Sequence, residues 1–316
     1  MRTARERPRR AVDRRTVLGA MGSAITVGAA GCSALDGGSS PTDTADSATP
    51  TDGSDAPTSP EAESTEPNGD SWDLSWSDEF DGEEIDEAVW NFETGNGHPD
   101  VPGWGNEEPQ YYQRENAWLE DDHLVIEARE EHVEDDYGEY DYTSSRLNTQ
   151  GAVATKYGRV DVRARLPRGQ GIWPRIWMVG SDVAFAGWPD CGEIDILEFR
   201  GDKPETVRGF AQGPGYTGAD RLTDSYTVEE GALTDSTHVF SIRWQSDRIE
   251  WYVDETQYHT VSRETVEDAG NEWVFDTPMY FVLAFACGGD PAGYPDETTP
   301  FPQRLEVDYV RHYERV

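Results

Sequence analysis

Residues 191–199 read Cys-Gly-Glu-Ile-Asp-Ile-Leu-Glu-Phe, and Glu193, Asp195 and Glu198 stand in a run that is otherwise β-favouring and apolar. A strand sends successive side chains to opposite faces. Glu193 and Asp195 therefore share a face, Ile194 and Ile196 take the other, and Glu198 falls out of phase. One extra residue, a β-bulge at about Ile196-Leu197, would return Glu198 to the acidic face. Acids crowded on one face titrate as a coupled set, so one of them is expected to hold its proton at neutral pH. A protonated carboxylic acid beside an ionised carboxylate is the equipment for cleaving a glycosidic bond. The other use of an acidic strand face, a solvated surface, suits the acidity of the chain but not the tight apolar alternation here.

The elements that must carry this strand are strands themselves. Val160, Val162, Ala164 and Leu166 alternate with Arg159, Asp161, Arg163 and Arg165, and Phe240, Ile242 and Trp244 alternate with Ser241, Arg243 and Gln245. After a polar turn, Ile249, Trp251 and Val253 repeat the period, and Leu305, Val307, Tyr309, Arg311 and Tyr313 form a closing strand. Gly, Pro, Asp and Asn punctuate these runs, and no long stretch has a helical period. Many short strands predict an all-β sandwich or jelly roll in one domain, 72–316. Its eleven tryptophans are mostly core material in such a fold. Trp173 and Trp177 share one strand face, however, and Trp104 and Trp188 sit in glycine-rich loops. Tryptophans near a carboxylate cluster suit stacking on sugar rings, so the expectation is a concave cleft floored by acids and walled by Trp.

Ahead of Trp72 the composition changes. The chain has 316 residues and a formal net charge of −37, and from Cys32 onward 19 basic residues face 61 acidic ones. Lysine occurs only at Lys156 and Lys203. A surface this acidic repels nucleic acid and anionic membranes and strains itself in dilute salt. The expectation is a protein adapted to very high salt, and the composition resembles that of halophilic archaeal proteins. Asp13-Arg14-Arg15-Thr16-Val17-Leu18 looks like a twin-arginine export signal. The small apolar run that follows is too short to span a bilayer comfortably, and it ends in Ala29-Ala30-Gly31-Cys32, which resembles a lipobox. Residues 1–32 are thus expected to be a lipoprotein signal, with Cys32 the lipidated first residue of an exported, cell-surface protein. Residues 33–71 have no aromatic residue and one large aliphatic, Leu35, which predicts a disordered tether. Of the other cysteines, Cys191 and Cys287, a disulfide and two buried free thiols both remain open. The six histidines show no metal-ligand spacing, so no catalytic metal is expected.

The segments Trp90 to Gly97, Trp104-Gly105-Asn106-Glu107, Gln110-Tyr111-Tyr112, Arg146 to Thr149, Gly171 to Trp177, Gly192 to Glu198 and Val307 to Arg311 resemble family 16 glycoside hydrolases, most closely the laminarinase branch of endo-1,3-β-glucanases and their 1,3(4) relatives. The resemblance covers essentially all of 72–316 and implies a concanavalin A-like jelly roll. It also implies a retaining, two-step mechanism with Glu193 as nucleophile, Glu198 as general acid and then base, and Asp195 as the group that orients the nucleophile. Retention needs the two carboxyl groups about 5–5.5 Å apart. After a bulge the Glu Cα atoms are about four steps apart, roughly 13 Å, a gap that two long side chains on a curved strand can close. Arg146, Trp173 and Trp177 match substrate-contacting positions, and Asn96 and Trp104 lie in the loop lining the non-reducing side. Trp188 is a further stacking candidate. Gln212 stands where the family usually has histidine and is expected to contact a subsite. The resemblance also suggests a structural calcium at Glu79 and Asp122, through backbone oxygens, and Asp308; oxygen ligands suit that ion. No cofactor is expected for catalysis, and a monomer acting on a β-glucan polysaccharide is expected. The competing readings are a non-catalytic carbohydrate-binding protein on the same sandwich and the same chemistry on another polysaccharide such as a galactan.

Overall fold

The computed structural model describes residues 71–316 and the backbone of 63–65, all within the compact unit Ala62–Val316. The export signal, Cys32 and most of the expected tether lie outside the described residues. The strands are β1 (Glu63–Thr65), β2 (Ser71–Asp78), β3 (Asn91–Phe92), β4 (Tyr111–Tyr112), β5 (Ala117–Glu120), β6 (His123–Glu134), β7 (Glu139–Ser144), β8 (Arg146–Asn148) and β9 (Gly158–Arg165). They continue as β10 (Ile172–Gly180), β11 (Glu193–Phe199), β12 (Thr206–Gln212), β13 (Leu222–Thr227), β14 (Thr237–Trp244), β15 (Arg248–Val253), β16 (Thr256–Ser262), β17 (Met279–Cys287) and β18 (Gln303–Arg315). Two short helices, α1 (Val183–Ala186) and α2 (Arg263–Asp268), interrupt them. β1 pairs with β2 and falls inside the stretch expected as tether; backbone pairing needs no apolar side chains.

The strands form two sheets, an all-β jelly roll. One runs β16-β15-β14-β9-β18-β6-β7-β4 with β2 and β5 joined to it, and the other runs β13-β12-β11-β10-β17-β8-β3. The second sheet carries the acidic strand. Its period-two patterning divides the side chains cleanly. On β10, Ile172, Ile176 and Met178 enter the core between the sheets, while Trp173, Trp177 and Val179 face the other way. On β17, Phe281, Leu283, Phe285 and Cys287 enter the core and Val282, Ala284 and Ala286 face the other way.

On β11, Ile194, Ile196, Leu197 and Phe199 are all core residues. Burial of each stabilises the fold by about 1.5–3 kcal/mol. A one-residue slip of this strand would drive its carboxylates into the core, so the register is strongly specified.

The closing strand departs from strict alternation. Leu305 and Val307 are buried as expected, but the next buried residues are Val310 and His312, with Tyr309 only half-buried. The pairing of β18 with β9 shifts between Val307 and Tyr309. An extra residue at Asp308 reverses the faces beyond it.

Candidate active site

Gly180 ends β10, and the chain returns through the α1 loop to Gly192. Gly192 has a φ of +79°, and a side chain there would press on Met279, Val274 and Phe275. Glycine meets both demands and delivers Glu193 into β11.

β11 is bulged. Against β10, Leu197 pairs with Ile176 and Asp195 with Trp177, so Ile196 is the extra residue. Against β12, Glu193 opposes Gln212, Asp195 opposes Phe210 and Glu198 opposes Arg208, three steps on one strand against two on the other. Directly opposed residues share a face. Glu193, Asp195 and Glu198 therefore emerge together, as alternation plus one inserted residue requires. At the bulge the outer sheet gives support: Trp251 Nε1 donates to the Asp195 carbonyl at 2.8 Å. Gly209 allows this approach, since a side chain there would collide with Trp251 and Tyr258.

The three acids have different surroundings. Glu193 is part-exposed and accepts from Trp188 Nε1 at 2.9 Å and Gln212 Nε2 at 2.7 Å. Gln212 is fixed in turn, its Oε1 accepting from Thr217 Oγ1 and the Gly218 amide, both at 3.0 Å. Asp195 is buried. Burial first, then the charge of Glu193 and a hydrogen bond shared with it, hold its carboxyl well above the usual carboxylate range. This setting favours the protonated form of Asp195, and in that form it can donate to Glu193. Glu198 is also buried, but its neighbours are cations: Arg221 Nη2 at 3.2 Å and Arg208 Nη1 at 3.9 Å.

Beneath the acids lies a buried polar network. Arg175, opposite Glu198 on β10, forms an ion pair with buried Glu108 and lies over the Trp173 ring at 3.9 Å. Burial opposes the Arg175 charge most strongly, but Glu108, Tyr112, Glu198 and Asp195 together outweigh it, and the guanidinium is held more firmly protonated than usual. Glu108 also accepts from Gln110 Nε2 at 2.8 Å, Tyr112 OH at 3.0 Å and Asn106 Nδ2 at 3.1 Å.

A carboxylate accepting neutral hydrogen bonds, a protonated acid against it and a third carboxyl further along one bulged strand is a glycosidase constellation, and comparison with known proteins agrees. The family model for glycosyl hydrolases family 16 matches residues 105–311. The chain belongs to glycosyl hydrolases family 16. It is 38% identical over 252 residues to a β-glucanase of Rhodothermus marinus, covering 77% of this chain and 85% of that one. An endo-1,3-β-glucanase (laminarinase) catalytic domain from Thermotoga petrophila aligns with 52% identity and a TM-score of 0.76, covering 77% of this chain and 98% of that one. The endo-β-1,3-glucanase of Pyrococcus furiosus aligns with 49% identity and a TM-score of 0.78, covering 79% and 97%. These three relatives are β-glucanases, and the chain is a glycoside hydrolase.

Within this family 16 fold the other expected residues have varied fates. Arg146 is held between the rings of Trp104 and Trp177, 4.4 and 4.8 Å from their centroids, and pairs with Glu93 at 2.5 Å. Trp104 is part-exposed, and its Nε1 donates to Gly95 O at 3.3 Å. Trp188 is 50% exposed beside Glu193. Trp173 and Trp177 share a face as expected, but they are buried. Arg175 and small neighbours cover Trp173, so it lies under the cleft floor rather than at its wall. Asn96 is buried too. Its amide donates to Glu108 O at 2.7 Å and Gln110 O at 2.8 Å, and its Oδ1 accepts from the Gly103 amide at 3.0 Å. These bonds hold the loop together and use both donors of the Asn96 amide.

The expected calcium donors fit poorly. Asp308, their one side-chain ligand, is ion-paired with Arg163, which a cation would have to displace. Among the described residues no group of three or more His, Cys, Asp or Glu side chains could hold a metal ion. Cys191 and Cys287 are free and buried. Cys287 points into the core and Cys191 packs with Trp177 and Tyr112 on the other side of the sheet, which explains why they do not pair. Burial pushes the Cys191 thiol up to about 12.

Sequence reading missed several members of the site. Arg175 and Glu108 had a signal: a lone charge in the apolar run Ile172–Gly180 must find an anion once buried. Arg208 and Arg221 had none, because only the strand order brings them to Glu198.

Proposed function

We propose that this protein is a retaining endo-β-glucanase that cuts 1,3-linked or mixed 1,3(4)-linked chains by double displacement. Glu193 attacks the anomeric carbon, Glu198 gives its proton to the leaving oxygen, and Glu198 then takes a proton from the water that releases the sugar. The observation that carries this reading is the bulged β11, which turns Glu193, Asp195 and Glu198 to one face with the Asp195 and Glu193 carboxyls in contact. A proton on Asp195 orients Glu193 without a competing charge. Trp188 and Gln212 donate to Glu193 in the free protein, and both can pass to sugar hydroxyls when substrate enters. Trp104, Trp188 and Arg146 supply the aromatic and cationic contacts of the cleft. The names of the three relatives above, β-glucanases and a laminarinase, favour glucan as the polymer.

Laminarin hydrolysis followed by NMR in molar salt tests this directly. The first product is expected to be the β-anomer, with mutarotation following; α-anomer first would mean inversion, and no reducing ends would leave only sugar binding. Residues 72–316 form the catalytic domain in this reading. The sequence of 1–71 supports twin-arginine export, lipidation at Cys32 and an acidic tether, and the charge of −37 supports work in high salt. A lipidated Cys32 in the mass spectrum of membrane-associated protein, and activity that rises from dilute to molar salt, are the matching expectations.

A further inference from the structure

In an acidic protein, guanidinium groups crowd one carboxylate. Arg221 donates to Glu198 Oε1 at 3.2 Å, Arg208 lies 3.9 Å from the same oxygen, and Arg175 faces Glu198 across the β10–β11 pair. Glu108 occupies Arg175, and Arg175 is buried. The other two are open to the cleft, with the Arg208 side chain 38% exposed and that of Arg221 20% exposed. Phe210 underlies Arg221 at 4.3 Å and fixes its plane. The register puts Thr223 opposite Phe210 and Ser225 opposite Arg208, so hydroxyls complete this face. β12 has no Asp or Glu, and Asp224, the one acid on β13, opposes Gly209 and takes the other face.

Among the described residues Arg221 pairs with one anion, Glu198, and that pairing holds only while Glu198 is ionised. To start the reaction Glu198 must carry a proton, and the two guanidinium groups then lose that partner. A largely enclosed cation without an anion is costly, so a replacement anion would be favoured at that moment. The planar fork of arginine matches a carboxylate or a sulfate ester. The proton donor must come within about 3 Å of the glycosidic oxygen. That sets Arg221 about 6 Å from this oxygen, within reach of an exocyclic substituent on a ring flanking the cut. A net charge of −37 repels an anionic polymer at long range in dilute salt. At 1 M salt the screening length is about 3 Å, and only contacts at hydrogen-bond range count.

We propose that Arg208 and Arg221 form a subsite for an anionic substituent, carboxylate or sulfate, on a sugar next to the scissile bond, so that the favoured substrate is an acid-substituted β-glucan. The proposal rests on the glycosidase reading of Glu193 and Glu198. The experiment measures kcat/KM at 1 M salt on laminarin, a carboxymethylated 1,3-β-glucan and a sulfated one, matched in chain length. Wild type is expected to prefer at least one substituted polymer by about tenfold, the size of one charge-assisted hydrogen bond. The preference should lie mainly in KM, fall towards one in Arg208→Gln and be partly kept in Arg208→Lys. The carboxymethyl and sulfate arms distinguish the two anions. Equal or better cleavage of laminarin by wild type, or a preference that Arg208→Gln leaves intact, overturns the subsite alone. No cleavage of any of the three polymers would instead overturn the glucanase reading on which it rests.

Discussion

The two ends of β11 carry the same side chain in opposite settings. At one end Glu193 is part-exposed and receives neutral donors, the indole of Trp188, the amide of Gln212 and the proton of Asp195. At the other, Glu198 is buried and receives cations, Arg221 and Arg208. A nucleophile has to stay ionised yet give up its hydrogen bonds as it attacks, which neutral dipoles permit. A group that alternates between acid and base has to be comfortable in both forms, and partners that can turn to another anion permit that. In the proposed mechanism one strand thus separates two chemical roles by its neighbours, not by residue type.

The largest effects should come from removing the acids themselves. Glu193→Gln is expected to lose about 10⁴-fold or more in kcat on laminarin. Glu198→Gln should lose about 10²–10⁴-fold, and much less on an aryl glycoside whose leaving group needs no proton. Equal losses on both substrates would erase the contrast between the ends. Next comes the support below them. Glu108→Ala leaves Arg175 buried without its anion and should cost about 3–5 kcal/mol in urea unfolding; an unchanged midpoint would mean that the ion pair is not holding the floor.

A smaller effect is expected at the neutral end. Gln212→Leu removes a donor to a charged group, worth about 1.5–3 kcal/mol, and should lower kcat about 10- to 100-fold with the fold intact. Asp195→Asn probes the shared proton through stability. Folded Asp195 keeps a proton that the unfolded chain releases above about pH 4, so this residue makes the native state less stable as pH rises from there towards its raised folded value. Asparagine has no proton to lose. The melting temperature of the variant minus that of wild type should therefore climb with pH above about 4. A flat difference would mean that Asp195 is ionised in the fold and that Glu193 lacks its neutral partner.

The fold and the acid triplet were legible because their signals are local. Alternation at period two marks β9, β14 and β15, and Glu-Ile-Asp-Ile-Leu-Glu contains its bulge as a phase error that only one inserted residue repairs. The second bulge, at Asp308, left no such error, since Val307-Asp308-Tyr309-Val310 reads equally well in either phase. Side chains consumed within a loop, as in Asn96, or covered by a neighbour, as in Trp173, are decided by three-dimensional packing that no spacing encodes. The cationic setting of Glu198 depends on β12 and β13 lying beside β11, a matter of topology.

The division of labour along β11 is tested most directly by trapping the intermediate. A 2-deoxy-2-fluoro-β-glucoside of the disaccharide, with a good leaving group, should accumulate a covalent glycosyl-enzyme that peptide mass spectrometry locates on Glu193. An adduct on Asp195 or Glu198, or no adduct from a protein that turns over laminarin, would contradict the assignment.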